Sequence, residues 1–122
     1  MAAPAARGFR ALAPHLRGYR HSSVPADPAA YSIFHIVRDL VALLDHLRLP
    51  KVFVVGHDWG AHVAWHLCLF LQDRVRASVI LGIPYFPRGP RPMAESLAKL
   101  CDGFYINQFQ RARKSRKGFW SL

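Results

Sequence analysis

The residues best suited to chemistry lie in one short turn, Gly56-His57-Asp58-Trp59-Gly60-Ala61, between a β-branched and aromatic run at Lys51 to Val55 and a helical stretch from about Ala61 to Leu71. A nucleophile flanked at two residues' distance by glycines is the pattern of a nucleophile elbow. The small residues relieve crowding around a nucleophile held in strained backbone geometry at the carboxyl edge of a sheet. Here the nucleophile position carries Asp58. A carboxylate attacks an sp³ carbon to form an ester with the protein, and no base is needed to activate it. Epoxides and haloalkanes suit that reaction. The positive end of the following helix favours the carboxylate, and the backbone N–H of Trp59 points where an oxyanion forms when water attacks the ester. The acyl carbon of that second step belongs to Asp58 itself. Position alone also allows a plainer role, since aspartate is a good helix N-cap; glycines at both ends, in a strand-turn-helix setting, favour the nucleophile.

The elements that must position this turn are legible from periodicity. From Ser32 onward, Ile33, Ile36, Val37, Leu40, Leu43, Leu44 and Leu47 recur at three- and four-residue steps, while Arg38, Asp39, Asp45 and Arg48 take the other faces; the spacing predicts an amphipathic helix that Pro50 stops. Lys51 to Val55 has no polar alternation, as expected of a parallel strand buried on both faces, and Ala77 to Ile83 is a second run of that kind. Phe9 to Ala13 alternates large apolar and other side chains before Pro14, the pattern of a short strand, and Leu16 to Pro28 reads as a loop. The order β, α, β, α, β predicts an α/β fold, a doubly wound parallel sheet with helices on both faces. Pro84, Pro87, Pro90 and Pro92, with Gly89, make Ile83 to Pro92 read as an extended loop, and a short helix is expected at Met93 to Leu100. There is no internal repeat and no second core.

Val54-Val55-Gly56-His57-Asp58-Trp59-Gly60-Ala61, followed by Ala64-Trp65-His66-Leu67-Cys68-Leu69-Phe70, resembles the elbow region of plant-type soluble epoxide hydrolases. Gly8-Phe9-Arg10-Ala11-Leu12-Ala13-Pro14, Leu16-Arg17-Gly18-Tyr19 and Ser22-Ser23 resemble that family's strand and loop ahead of the elbow. Asp102-Gly103-Phe104-Tyr105-Ile106-Asn107-Gln108-Phe109-Gln110 is similar to the start of its helical cap, so the likeness covers about residues 7 to 110. The resemblance implies a partial sheet of the α/β-hydrolase fold over residues 1–92 and the beginning of the cap over 93–110; beyond it, residues 111–122 read as a basic, disordered tail. It also implies that Asp58 opens an epoxide toward a vicinal diol while Tyr105, in its Y-I-x-x-F-Q setting, donates a hydrogen bond to the epoxide oxygen. No cofactor is implied. A haloalkane dehalogenase shares the aspartate elbow, but Tyr105 favours the epoxide.

Departures accompany the matches. An aspartate commonly stands at the position of His15, and a glycine and an aspartate at those of Arg20 and His21, changes expected to disturb a turn; His62 replaces glutamine or an apolar residue. The family's H-G-x-P oxyanion loop, second cap tyrosine, charge-relay acid and catalytic histidine have no counterpart in these 122 residues. The expectation is a truncated gene product or incomplete gene model with little turnover of its own, an unpaired sheet edge and exposed apolar surface.

The apolar fraction of 52% and charged fraction of 20% are those of a globular chain, and no apolar run reaches the ~18 residues a membrane span requires. Cys68 and Cys101 have no disulfide-framework or C-x-x-C spacing, which fits free thiols in the cytoplasm. The first 23 residues are rich in Ala and Arg and lack acid, as in a transit peptide, but the resemblance over Gly8 to Pro14 disfavours that reading. The net charge of +10 is local: Arg111, Arg113, Lys114, Arg116 and Lys117 cluster in a tail without a nucleic-acid-binding motif, so a solvated terminus is expected instead of specific nucleic-acid binding. The expected partner is a small-molecule epoxide. A non-catalytic interaction protein, using the sheet edge or Phe119-Trp120, is the rival from another class. His62 and His66 are one helical turn apart, a spacing that can bind zinc, but Val63 stands where a zincin carries glutamate and no third ligand is apparent, so no metal is expected. His35, His46 and His57 read as solvated or satisfied groups.

Overall fold

The computed structural model describes residues 2–87, 89 and 90. The chain divides into two units, Met1–Tyr85 and Phe86–Leu122, and every element below belongs to the first. The sequence expectations for a helix at Met93 to Leu100, for the cap segment with Tyr105 and for the basic tail lie outside the described residues.

Helix α1 (Ala2–Ala6) is followed by an irregular segment, then by a 3-10 turn at Pro28–Tyr31 and helix α2 (Ile33–His46). Asp27 starts the turn: its carboxylate accepts from the Ala29 N–H at 2.9 Å, with Pro28 at the first position, where a missing N–H costs nothing. The apolar stripe of α2 is buried at Val37 and Leu44. The helix ends three residues before Pro50 becomes relevant. Leu49 N–H donates to Leu44 O (2.8 Å) and Arg48 N–H to Asp45 O (2.9 Å), the paired bonds of a Schellman cap, with Arg48 at φ 53° in the position glycine usually takes.

Strand β1 (Val52–His57), helix α3 (Trp59–Phe70), a 3-10 turn (Gln72–Arg74) and strand β2 (Val75–Leu81) complete the order. β1 and β2 pair in parallel, with Phe53 opposite Ala77, Val55 opposite Val79 and His57 opposite Leu81. α3 crosses between them and packs on both strands, and α2 packs on α3. The core is therefore centred on α3, whose Ala61, Val63, Ala64 and Leu67 are buried together with Val37 and Leu44 of α2.

Two expectations about the sheet are corrected. Phe9 to Ala13 is not a strand: no ladder partner stands beside it among the described residues, and an extended segment becomes a strand only when its N–H and C=O groups find one. Phe9 instead meets Phe53 edge-on at 6.0 Å between ring centroids. Nor are the strands buried on both faces. α3 covers one face, whereas Phe53, Val55, Val79 and Leu81 on the other are 59%, 70%, 54% and 49% exposed. That apolar face is therefore open, and α3 lies against the other.

Two arginines tie the connections to α2. Arg17 grips Asp39 with Nε (2.7 Å) and a terminal nitrogen (2.6 Å) and donates to Ala30 O at 2.5 Å, anchoring the loop ahead of the helix. Arg74 donates to Asp45 Oδ1 at 2.7 Å and to the carbonyls of Pro50 and Leu49 at 3.0 and 3.2 Å, fastening the turn before β2 to the α2–β1 connection. No described helix is long and apolar enough to cross a membrane.

Candidate active site

Asp58 occupies the single residue between β1 and α3, at φ 53° and ψ −124°. An L-residue pays of order 1–3 kcal/mol for such backbone geometry, so the surrounding structure must impose it. The imposing contacts are visible. Asp58 N–H donates to Leu81 O at 3.2 Å, continuing the ladder one residue past the strand, while Asp58 O accepts from Ala61 and His62 N–H at 2.9 and 3.2 Å, opening the helix. A chain that must close a strand bond and a helix turn on the same residue has to reverse there.

The two elbow glycines are not equivalent. A Cβ on Gly56 would stand 2.5 Å from Gly60 O, 2.7 Å from Ala61 Cα and 2.8 Å from Ala64 Cβ, so the last turn of the strand touches the first turns of α3 and only a hydrogen fits between. A Cβ on Gly60 would meet nothing within 4 Å. The crowding implied by the G-x-D-x-G spacing falls on Gly56 alone.

Asp58 holds the N-cap position of α3 but its side chain makes no capping hydrogen bond. A side-chain cap for the helix, the plainer role open to the aspartate, is therefore not made. At the first helical position, Trp59 N–H is one of the donors a helix leaves without an internal partner, and no backbone acceptor takes it among the described residues.

Asp58, itself exposed, lines a concavity of about 550 Å³, within the usual range for small-molecule sites. His57, Asp58, Trp59 and Gly60 of the elbow line it, together with Pro14 to Arg17, Tyr19 and Tyr31. Ile33 and Ile36, read from the sequence as part of a core stripe, line it as well, with His62 and Val63 of α3. Sequence reasoning missed the Tyr19–Tyr31 wall, and only the unusual approach of Gly18 to a ring explains it: a Cβ there would lie 2.8 Å from Tyr31 Cε1, and Tyr31 in turn donates to Pro25 O at 2.9 Å.

The substituted turn survives. Arg20 takes φ 44°, the left-handed region where the resembling family carries glycine, yet Ser22 N–H still reaches Tyr19 O at 2.9 Å and Gly18 N–H reaches Ser23 O at 2.8 Å. His15 and His21 meet edge-on at 6.4 Å. On α3, burial first and the neighbouring His66 charge second hold His62 below the ordinary histidine range. His35, His46 and His57 are exposed as expected, His35 sharing a 2.7 Å hydrogen bond with the Ser32 hydroxyl. Trp65 Nε1–H donates to Ile83 O at 3.1 Å and pins the segment after β2 to α3. No group of three His, Cys, Asp or Glu side chains able to hold a metal ion occurs among the described residues.

A strained aspartate between a parallel strand and a helix is the arrangement of one fold above others, and a profile of the alpha/beta hydrolase fold matches residues 1–116. The chain belongs to the α/β-hydrolase fold family. Within that family its similarity is to plant-type epoxide hydrolases. It is 46% identical over 117 residues to epoxide hydrolase 3 of Siraitia grosvenorii, an alignment that takes in 94% of this chain and 37% of that protein. Among solved structures, the epoxide hydrolase of Vigna radiata superimposes with a TM-score of 0.86 at 44% identity, over 90% of this chain and 35% of that one. Potato epoxide hydrolase I gives a TM-score of 0.83 at 46% identity, over 90% and 36%. The α/β-hydrolase chain here thus spans about 37% of the length of the curated relatives it matches.

Proposed function

We propose that Asp58 is the alkylation nucleophile of an epoxide-hydrolase reaction, in which an epoxide becomes a vicinal diol through an ester on this residue. The observation that supports the reading is the strained, uncapped Asp58 in the lining of the groove. A carboxylate oxygen attacks an epoxide carbon, the C–O bond of the ring breaks, and its electron pair moves to the ring oxygen, whose negative charge a hydrogen bond from the Tyr105 phenol stabilises until solvent supplies the proton. Water then attacks the Asp58 carboxyl carbon and gives up a proton to solvent, the Trp59 N–H steadies the oxyanion, and its collapse breaks the acyl C–O bond to release the diol and the Asp58 carboxylate. In this reading residues 1–92 form a partial hydrolase core, 93–110 the start of a cap and 111–122 a basic tail. The setting is cytoplasmic, the partner a small epoxide, and neither a cofactor nor nucleic acid takes part.

Loss of a general base typically slows such chemistry by ~10²–10⁴-fold, and loss of an oxyanion donor by about 10²–10³-fold. With no counterpart of the catalytic histidine or the H-G-x-P loop in these 122 residues, the ester outlives its formation. Incubating the purified chain with trans-stilbene oxide and recording its intact mass tests this. The expected result is a lasting increase of one epoxide mass in the wild-type chain and none in Asp58→Ala. Steady diol release by the chain alone would defeat the persistence of the ester, and an unmodified wild-type mass would defeat the nucleophile. Haloalkane hydrolysis is the competing reaction, and adduct formation with a chloroalkane but not the epoxide would select it.

One observation favours a second reading, a non-catalytic interaction protein: the open sheet face of Phe53, Val55, Val79 and Leu81. A partner recovered equally well by wild type and Asp58→Ala supports it, and one lost with Asp58→Ala counts against it.

A further inference from the structure

Along the exposed side of α3, four rings follow one another at helical spacing. Trp59 meets His62 at 6.0 Å between centroids, His62 meets His66 at 4.5 Å, and His66 meets Phe70 at 5.7 Å. The middle pair differs in kind from an aromatic stack. His66 Nδ1 lies 2.8 Å from the carbonyl oxygen of His62. A carbonyl can only accept, so Nδ1 carries the proton, and in the neutral ring the lone pair is left on Nε2. This is the arrangement that orients metal-bound histidines, whose second ring nitrogen almost always donates to a carbonyl or carboxylate. Both rings are half-buried, so solvent and ions reach them.

We infer that His62 and His66 together bind a borderline divalent transition-metal ion, Zn²⁺, Cu²⁺ or Ni²⁺, with water completing the coordination. Two imidazoles one turn apart on a helix, here with ring centroids 4.5 Å apart, can reach a single ion, and imidazole nitrogen suits these metals over Mg²⁺ or Ca²⁺. The absence of a third protein ligand among the described residues makes this an exchangeable surface site, distinct from a closed structural one. The site borders the groove, because His62 lines it one turn beyond Asp58.

The test uses the full-length chain with metal chlorides. Calorimetric titration with ZnCl₂ is expected to show one ion bound, and replacing either residue, His62→Gln or His66→Gln, to weaken it at least about tenfold. His35→Gln, on α2, leaves the affinity unchanged. Nitrogen hyperfine structure in the electron paramagnetic resonance spectrum of the CuCl₂-loaded chain is expected to report two imidazoles. Imidazole ¹⁵N resonances of the wild-type chain provide a reading independent of whether the variants fold: substoichiometric ZnCl₂ should move those of His62 and His66 first. Binding that persists in both variants, or that disappears with His21→Gln and shifts the His15 and His21 resonances instead, overturns the assignment.

Discussion

The two faces of the same pair of strands have opposite fates. On one, Gly56 lies so close to α3 that no side chain fits, and Ala61, Ala64 and Leu67 fill the seam. On the other, the apolar Phe53, Val55, Val79 and Leu81 are 49% to 70% exposed. Burial, not residue type, decides what a position contributes, and the elbow draws its rigidity from the packed face alone. The strain at Asp58 is held from behind.

The largest expected difference is between Leu67→Ala, which empties a site only 3% exposed and should cost about 2–5 kcal/mol, and Val79→Ala on the open face, which should stay within about 0.5 kcal/mol. Urea midpoints for the two variants check this, and equal losses would show that the open face is covered in solution. Next comes the asymmetry of the elbow glycines. Gly56→Ala forces a Cβ against backbone and should cost about 1–3 kcal/mol, whereas Gly60→Ala enters open space in a helix and should be neutral or gain up to about 1 kcal/mol.

A third comparison sets function against stability at one residue. Asp58→Gly removes the positive-φ strain and should raise the thermal midpoint, by about 1 kcal/mol of relieved strain, while abolishing the epoxide adduct. A fall in the midpoint would mean that Asp58 does stabilise α3. Arg20→Gly and Arg48→Gly relieve left-handed backbone in the two loops and should each add up to about 1 kcal/mol, with no change in adduct formation from Arg48→Gly, which lies away from the groove lining.

The smallest effect is electrostatic. The hydrogen bond from Arg17, with its charge behind it, holds Asp39 below the usual carboxylate range. A lowered folded-state pKa contributes stability above the unfolded value near 3.9 that is lost as pH falls through the folded value. Asp39→Asn should therefore be slightly less stable than wild type at pH 7, with the gap closing in strong acid. A gap that widens on acidification would break the assignment.

Much of this was legible in local sequence. The α2 stripe, the two strand runs and the G-x-D-x-G turn each carry their pattern within a few residues. Helix α2 ended earlier than Pro50 suggested because the carbonyls of Leu44 and Asp45 were already taken by Leu49 and Arg48, a cap that normally advertises itself by glycine. Phe9 to Ala13 has strand-like alternation and no strand, because pairing is a property of two segments and alternation of one. The groove wall of Tyr19 and Tyr31 carried no signal at all, since its residues meet only through the Gly18 turn.

The sequence by itself determined where the chain reverses and which side chain stands at the reversal, because glycine spacing and strand-to-helix periodicity are written into neighbouring residues. Only the tertiary structure decided that Asp58 is strained and uncapped, that Gly56 and not Gly60 is sterically bound, and that one sheet face is open. Each of these depends on distances between segments that no local pattern encodes: Leu81 O reaching Asp58 N–H, α3 pressing on Gly56, and α2 settling on α3 while the far side of the sheet stays bare.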